Sequence, residues 1–224
     1  MLVNQFIRII IKLADYNCFC LLGSQKSKVI QNMKTLIIYA HPNVKGHCSA
    51  FLDAVVNGLK GRNLEYKLID LYKIGYDPVL KSDELYSSDK TKISKENLAF
   101  QKDIAEAERL IFIYPLWWNT MPAILKGFFD RVFVPKFAFE FVKGIPYGLL
   151  RGKKAAVFIT SGASNFVSFL FMGNRGKKAI TKDVLGYCGI KTKVFQLGSA
   201  RHLNDNTLEK IKITVDNGFN WLYR

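Results

Sequence analysis

The chain has 224 residues, 49% hydrophobic and 23% charged, which suits one globular domain with a substantial core and excludes a wholly disordered chain. Thirty-three Lys and Arg against 18 Asp and Glu give a net charge of +15, and the excess lies late: 17 basic and 6 acidic residues from Lys126 onward. A basic half suits an anionic cofactor, nucleic acid or a membrane surface, and a solvated basic face accounts for it equally well.

The first segment, Phe6-Ile7-Arg8-Ile9-Ile10-Ile11-Lys12-Leu13, is broken by two charges and is far short of the roughly 20 apolar residues a spanning helix needs. Residues 1–32 carry four basic residues and Asp15 as their one acid, as a targeting segment would. A start at Met33 is the favoured reading, because a strand-like run follows it at once. The expected organisation is therefore an extension, 1–32, and one domain, 33–224. Cys18, Cys20, Cys48 and Cys188 make no disulfide framework and no zinc spacing, so the expectation is reduced thiols in a cytoplasmic protein with no metal site.

From Met33, short apolar runs alternate with amphipathic stretches. Strands are predicted over Leu36–Ala40, Leu64–Ile69, Leu110–Tyr114, Ala155–Thr160 and Lys193–Leu197. They are apolar throughout instead of alternating, as in strands covered on both faces. Helices are predicted over Ser49–Lys60, Glu96–Glu108, Pro122–Val132, Lys177–Cys188 and Leu208–Leu222, with Asp77–Lys95 a long loop or a frayed helix. Ser49 reads as an N-cap with Asp53 near the positive helix end, Pro122 as a first helical residue, and Gly189 as a C-cap. The pattern is α/β, a doubly wound five-stranded parallel sheet.

In such sheets ligands sit beyond the carboxyl ends of the strands, so three loops carry the candidate chemistry. After the first strand, His41-Pro42-Asn43-Val44-Lys45-Gly46-His47-Cys48-Ser49 runs into a helix start and offers amides for a phosphate. It matches neither a Walker loop nor a Gly-x-Gly-x-x-Gly turn, and a plain strand-to-helix connection explains it as well. After the third, Tyr114-Pro115-Leu116-Trp117-Trp118-Asn119-Thr120-Met121-Pro122 holds two adjacent tryptophans. One of them must point away from the core, as a wall for a planar ring, a lid or a dimer contact. After the fourth, Thr160-Ser161-Gly162-Ala163-Ser164-Asn165 is small and polar, a turn able to bring amides close to a ligand.

Together these loops resemble the flavodoxin-like NAD(P)H:quinone oxidoreductase family, which includes potassium-efflux ancillary reductases and drug-activity-modulator-type quinone reductases. The likeness runs from Met33 to about Leu222 and is most specific from Tyr114-Pro115-Leu116-Trp117-Trp118 through Met121-Pro122-Ala123-Ile124-Leu125-Lys126-Gly127-Phe128-Phe129-Asp130-Arg131-Val132-Phe133. The resemblance implies strand order 2-1-3-4-5 and a bound flavin, FAD favoured and FMN the alternative, with NADH or NADPH as donor. It places His41, Gly46, His47, Cys48 and Ser49 at the phosphates. It sets Pro115, Leu116, Trp117, Trp118 and Asn119 along the isoalloxazine, and Thr160, Ser161, Gly162 and Ala163 at its polar edge. Phe139, Phe141 and Phe166 would meet the acceptor, with Phe137–Phe141 reaching over a partner's site in a homodimer.

The chain departs from its relatives at several positions. Gly46 stands where several carry a serine or threonine, and Phe139 and Phe141 replace tyrosines. An ungapped count puts Ser168 and Asn174 where animal relatives have a Tyr and a His that serve the reduced flavin. No catalytic side chain is therefore assigned. The function implied is two-electron transfer from NAD(P)H to a quinone or similar flat acceptor by a ping-pong mechanism, without nucleic acid. The alternatives are a flavin-binding ancillary subunit touching a membrane cation-efflux transporter, and a one-electron carrier, against which the basic charge argues.

Overall fold

The computed structural model describes residues 34–85 and 92–224, so the expectations for residues 1–32 lie outside the described residues. In chain order the elements are β1 (Thr35–Tyr39), α1 (His47–Gly61), β2 (Tyr66–Asp70), α2 (Lys95–Glu106), β3 (Arg109–Pro115), α3 (Ala123–Val132), β4 (Phe139–Val142), β5 (Ile145–Gly148), β6 (Lys154–Thr160), α4 (Asn165–Leu170), α5 (Arg175–Lys178), β7 (Lys191–Leu197) and α6 (Asp205–Leu222). A single 3₁₀ turn, Ser82–Glu84, precedes α2, and a π-helical turn, Ala179–Val184, continues α5.

Five strands form one parallel sheet in the order β2-β1-β3-β6-β7. With the β4–β5 hairpin set aside, this is the expected 2-1-3-4-5 order. The hairpin itself is absent from the sequence-based expectation. It forms a separate antiparallel pair between α3 and β6.

Strands β1, β3 and β6 are covered on both faces, and their alternate residues feed two cores. Leu36, Ile38, Leu110, Phe112 and Val157 face Ile104, Phe128, Phe129 and Ile180 on one side. Ile37, Ile111, Ile113 and Phe158 face Phe51, Val55, Val215 and Phe219 of α1 and α6 on the other. Each such buried side chain stabilises by on the order of 2 kcal/mol. The edges do not share that burial. In β7, Lys191 and Lys193 are exposed, and charged edge residues discourage pairing with another sheet.

Several helix ends differ from expectation. Helix α1 starts at His47 with Gly46 as its N-cap, and Ser49 lies inside the first turn with its hydroxyl donating to the Gly46 carbonyl at 2.9 Å. Asp53 therefore sits in the second turn, away from the positive end. Pro122 is the N-cap of α3 instead of its first residue. The predicted Lys177–Cys188 helix starts at Arg175 and passes into the π turn, while Gly189 takes a positive φ of 83° after it.

The loop after β2 is held against α3 by charge. Glu84 accepts from Arg131 Nε at 2.8 Å and Nη2 at 2.6 Å, and Arg131 also donates to the Asp77 carbonyl. The guanidinium lies over the Tyr76 ring, 5.6 Å from its centroid. Close approach matters here too, because a Cβ on Gly127 of α3 would meet the Pro78 carbonyl oxygen at 2.1 Å.

With side-chain exposures of 6% for Arg131 and 10% for Glu84, removing one partner strands a shielded charge. Arg131→Leu is expected to cost about 2–3 kcal/mol in denaturant unfolding. The hydrogen bond from Arg131 holds the Glu84 carboxyl below its ordinary range. The stabilisation from that shift is full above the unfolded carboxylate pKa, near 4.3, and is lost as pH falls through the lower folded value. Unfolding of wild type and Arg131→Leu at pH 7 and pH 3 should show the gap narrowing in acid. A gap that stays constant would mean the effect is packing, not charge.

Candidate functional site

Three loops meet beyond the carboxyl ends of β1, β3 and β6. Each is placed by the sheet. Leu116 N–H donates to the Thr160 carbonyl at 2.8 Å, which ties the end of β3 to β6, and Ala40 N–H donates to the Ile113 carbonyl at 3.0 Å, which ends β1 beside them.

The β1 loop turns on local polar contacts. Asn43 N–H donates to His41 Nδ1 at 3.0 Å, and Lys45 N–H donates to Asn43 Oδ1 at 3.1 Å. The His41 ring leans toward Trp117, with centroids 6.1 Å apart, so the first and second loops touch. Gly46 has φ 141°, a conformation strained for any other residue, and a Cβ there would meet nothing within 4 Å. The chain thus enters α1 with an open space in front of its first turn. The first intrahelical acceptor, the Gly46 carbonyl, takes the Ala50 N–H at 3.0 Å, which leaves the amides of His47, Cys48 and Ser49 directed outward. No acidic side chain stands in that turn. Positive potential at the helix end is therefore left for a ligand. His47 Nε2 is shielded from solvent and has no hydrogen-bond partner.

The β3 loop is a two-residue turn. Trp117 and Thr120 exchange both backbone hydrogen bonds at 3.0 Å, while Trp118 (φ 51°) and Asn119 (φ 58°) occupy the left-handed region. Positive φ at both central positions is the type I′ arrangement, in which glycine or asparagine is ordinary and tryptophan is not. Asn119 fits that preference. Trp118 carries strain on the order of 1 kcal/mol or more and is 100% exposed. Behind the turn, α5 approaches so closely that a Cβ on Gly176 would lie 2.9 Å from Leu116 Cδ2 and 3.0 Å from the Asn119 carbonyl oxygen.

The β6 loop is held from the side. Gln196 Nε2 of β7 donates to Ser161 Oγ at 2.7 Å and lies 3.3 Å from Ser168 Oγ, while Ser161 Oγ donates to the Ala163 carbonyl at 2.8 Å. Ser161 N–H is used by the Leu197 carbonyl at 3.0 Å. The amides of Gly162 and Ala163 carry no such bond, and a Cβ on Gly162 would meet nothing within 4 Å. That is a cradle for an acceptor-rich edge.

The structure redistributes several of the sequence-based assignments. His41, Gly46, His47, Ser49, Leu116, Trp117, Trp118, Asn119, Gly162 and Ala163 do converge. Cys48 does so only through its amide. Its thiol is buried beside Thr160 Oγ1 at 3.3 Å, and burial pushes it up to about 11. Thr160 is buried, and its hydroxyl shares a hydrogen bond with the Cys48 thiol on the core side. Pro115 is likewise buried, paired in register with Thr160. Phe166 lies on the first turn of α4 next to the third loop, largely exposed. Phe139 and Phe141 lie on the hairpin near the amino end of the sheet, where Phe139 packs on Tyr187 at 4.8 Å. Within one chain they do not reach the loops. Ser168 is buried against Gln196, and Asn174 caps α5 with φ 53°. Sequence reasoning missed Gln196 and Gly176; Gly176 between basic residues gives no sequence signal beyond its size.

Free amides at a helix start, a flat aromatic turn and a small-residue loop at one edge of the sheet fit a phosphate-bearing planar ring compound. A family model described as having a flavodoxin-like fold matches residues 33–211. An "Uncharacterized NAD(P)H oxidoreductase" of Haemophilus influenzae is 33% identical over 191 residues, covering 82% of this chain and 92% of that protein. An "FMN-dependent NADH:quinone oxidoreductase" of Clostridium perfringens is 31% identical over 191 residues, covering 80% and 94%. The solved NAD(P)H:quinone oxidoreductase of Methanothermobacter marburgensis superposes with a TM-score of 0.72 at 26% identity, covering 84% of this chain and 96% of that one. The chain belongs to the flavodoxin-like NAD(P)H:quinone oxidoreductase family.

Because the Trp118 side chain touches nothing and its backbone is strained, Trp118→Gly should leave flavin-free protein at least as stable, gaining up to about 1 kcal/mol. The same change should weaken flavin binding by about one to two decades, through the lost aromatic wall. Trp117→Ala should weaken it less, since that ring leans on His41. Thermal melts and titration of deflavinated protein with flavin check both. Unchanged affinity in a destabilised Trp118→Gly protein would mark the turn as purely structural.

Proposed function

We propose that this chain is a flavin-dependent NAD(P)H oxidoreductase that passes two electrons to a quinone or a similar flat aromatic acceptor, donor and acceptor occupying one pocket in turn. The observation that carries the reading is the convergence of three unlike surfaces on one space: the outward amides of α1, the Trp117–Thr120 turn, and the free amides of Gly162 and Ala163. When bound, the flavin supplies the hydride and electron transfer that no side chain here can perform. The amides of His47, Cys48 and Ser49 would hold its phosphate; Leu116, Trp117, Trp118 and Asn119 would flank the ring; Gly162 and Ala163 would meet its polar edge. The Clostridium relative is named for FMN, and the relatives reported above give no support to FAD being favoured, so FMN is the form proposed.

The chain's residues orient and shield more than they react. The Trp turn offers an apolar face over which rings can stack, and α5 backs it through Gly176. Ser168 is buried and Asn174 does not titrate, so neither moves a proton in the working pH range. His47 places a buried ring nitrogen without a hydrogen-bond partner beside the cradle. We further propose a homodimer in which Phe139 and Phe141 complete the partner's pocket. The support is the hairpin's apolar ribbon of Phe141, Val142, Ile145 and Tyr147, all exposed.

Purified protein is expected to release FMN on heating and to oxidise NADH or NADPH rapidly only when a soluble quinone is present. Absence of flavin, or oxidation that ignores quinone, would overturn the reading. The expected kcat/KM for that quinone changes by less than about threefold from pH 6 to 9, because neither Ser168 nor Asn174 titrates there. A steep fall with rising pH that vanishes in His47→Gln would instead make His47 the proton donor.

A further inference from the structure

Strand β7 closes one edge of the sheet, and one of its faces runs Thr192, Val194, Gln196 toward the carboxyl end. Val194 packs on the core that holds Phe128 and Ile180. Gln196, the next residue on that face, reaches instead for the chain that follows β6. Its Nε2 donates to Ser161 Oγ at 2.7 Å and to Ser168 Oγ at 3.3 Å, and its backbone carbonyl accepts from Asn165 Nδ2 at 3.2 Å. One residue thus ties the β6 loop and the first turn of α4 to β7. Ser161 and Ser168 are both buried, so these contacts are sheltered from water. Gln196 Oε1 is shielded too, and has no partner. A leucine would leave no acceptor dry there, so the amide costs stability and its use lies in its donor end.

The hydrogen bonds run one way. Ser161 Oγ accepts from Gln196 and donates to the Ala163 carbonyl at 2.8 Å. The reverse amide orientation would set Oε1 against Ser161, draw its hydroxyl proton and release that carbonyl. The loop after β7 grips the same turn: Ala200 N–H donates to the Ser161 carbonyl at 3.0 Å and Ser199 N–H to the Ala163 carbonyl at 3.1 Å. The two loops pack without slack, since a Cβ on Gly198 would lie 2.7 Å from Asn165 N and 3.0 Å from the Ala163 carbonyl oxygen. A trans peptide points its carbonyl and its N–H in opposite directions, so the Ala200 bond aims Gly162 N–H away from β7. The Ser161 and Ala163 carbonyls are thus engaged behind the turn, while the Gly162 and Ala163 amides carry no backbone bond.

We propose that Gln196 is a positioning residue that sets the reduction potential of the bound flavin. Its donation through Ser161 fixes the Ala163 carbonyl, and its bond to Ser168 fixes the first turn of α4. The Gly162 and Ala163 amides are then aimed before the cofactor arrives. Amides directed at an acceptor-rich edge favour the reduced ring over the oxidised one, because a hydrogen bond strengthens as its acceptor gains charge. Gln196 acts through this loop and is not itself one of the groups proposed to meet the ring. The role rests on the proposed function, which puts the flavin's polar edge at Gly162 and Ala163.

The test is FMN titration of the flavin-free full chain, with the reduction potential of the loaded protein, for wild type, Gln196→Leu, Gln196→Glu and Ser161→Ala. Thermal melts of the flavin-free proteins report folding separately. Gln196→Glu keeps size and reach, but an ionised carboxylate accepts and cannot donate, so it turns the Ser161 hydroxyl away from Ala163. It carries the test if Gln196→Leu does not fold. Both variants are expected to bind oxidised FMN about tenfold more weakly. The reduced form should lose about tenfold more than the oxidised, a fall in potential of about 30 mV for a two-electron couple. Adding Gln196→Leu to Ser161→Ala should weaken binding less than about threefold further, since the relay is already cut. Unmoved affinity and potential in a folded Gln196 variant overturn the proposal. So does weaker binding with an unmoved potential, which would make Gln196 a structural prop, and so does full additivity with Ser161→Ala. Wild type that binds no flavin overturns the proposed function first, and this role with it.

Discussion

The carboxyl edge depends on how β3 outruns β1 beside β6. In a parallel sheet alternate residues of a strand direct their backbone groups to opposite neighbours. Ala40 N–H reaches the Ile113 carbonyl and Leu116 N–H reaches the Thr160 carbonyl, so Ile113 and Pro115 face β1 while Leu116 faces β6. Proline has no N–H to give, and β1 has already ended at Tyr39 opposite Ile113. The missing donor therefore falls where no acceptor waits. The His41 loop departs on that side, and the two chains part beyond Ile113.

That geometry makes the Trp turn expensive and rigid together. It is fixed at one end by the Leu116–Thr160 bond, closed by the Trp117–Thr120 pair, and backed by α5 at Gly176. A tryptophan held at φ 51° between such supports cannot relax without breaking one of them. Strain of this kind is expected where a surface must be presented in advance of a ligand. The alternative, a flexible loop ordering on binding, would lose affinity to the entropy of ordering it.

Much of the fold is legible in residues 33–224, for identifiable reasons. The runs of β1, β3 and β6 are apolar at every position because both faces are covered, and no helix of comparable length reads that way. The hairpin is harder to see, since β4 and β5 are four residues each and little of either is buried. Its one signal is Lys143-Gly144, both at positive φ, between short apolar stretches. At the site, loop membership is readable and side-chain direction is not. Cys48 lies in the right loop, but its phase on α1 turns the thiol into the core against Thr160. The same limit applies to Ser168, whose aligned position says nothing of the Gln196 contact that draws it inward. Phe139 and Phe141 mark a limit of another kind, because within one chain Phe139 packs on Tyr187 and Phe141, and any role across a dimer leaves no trace there.

The electrostatics of α1 explain how the strained turn is tolerated. Its first turn leaves three amides outward and no carboxylate near them, with Asp53 displaced to the second turn. A helix so arranged lacks the self-compensation that most have, and is favoured when an anion occupies its end. Ligand bound only to the folded state stabilises by RT ln(1 + [L]/Kd), about 2.7 kcal/mol at a hundredfold excess over Kd. The two unfavourable features, an uncompensated helix end and a strained aromatic turn, face the same space. On the function proposed above, one phosphate-bearing ring compound would offset both, tying the fold's stability to occupancy of this space.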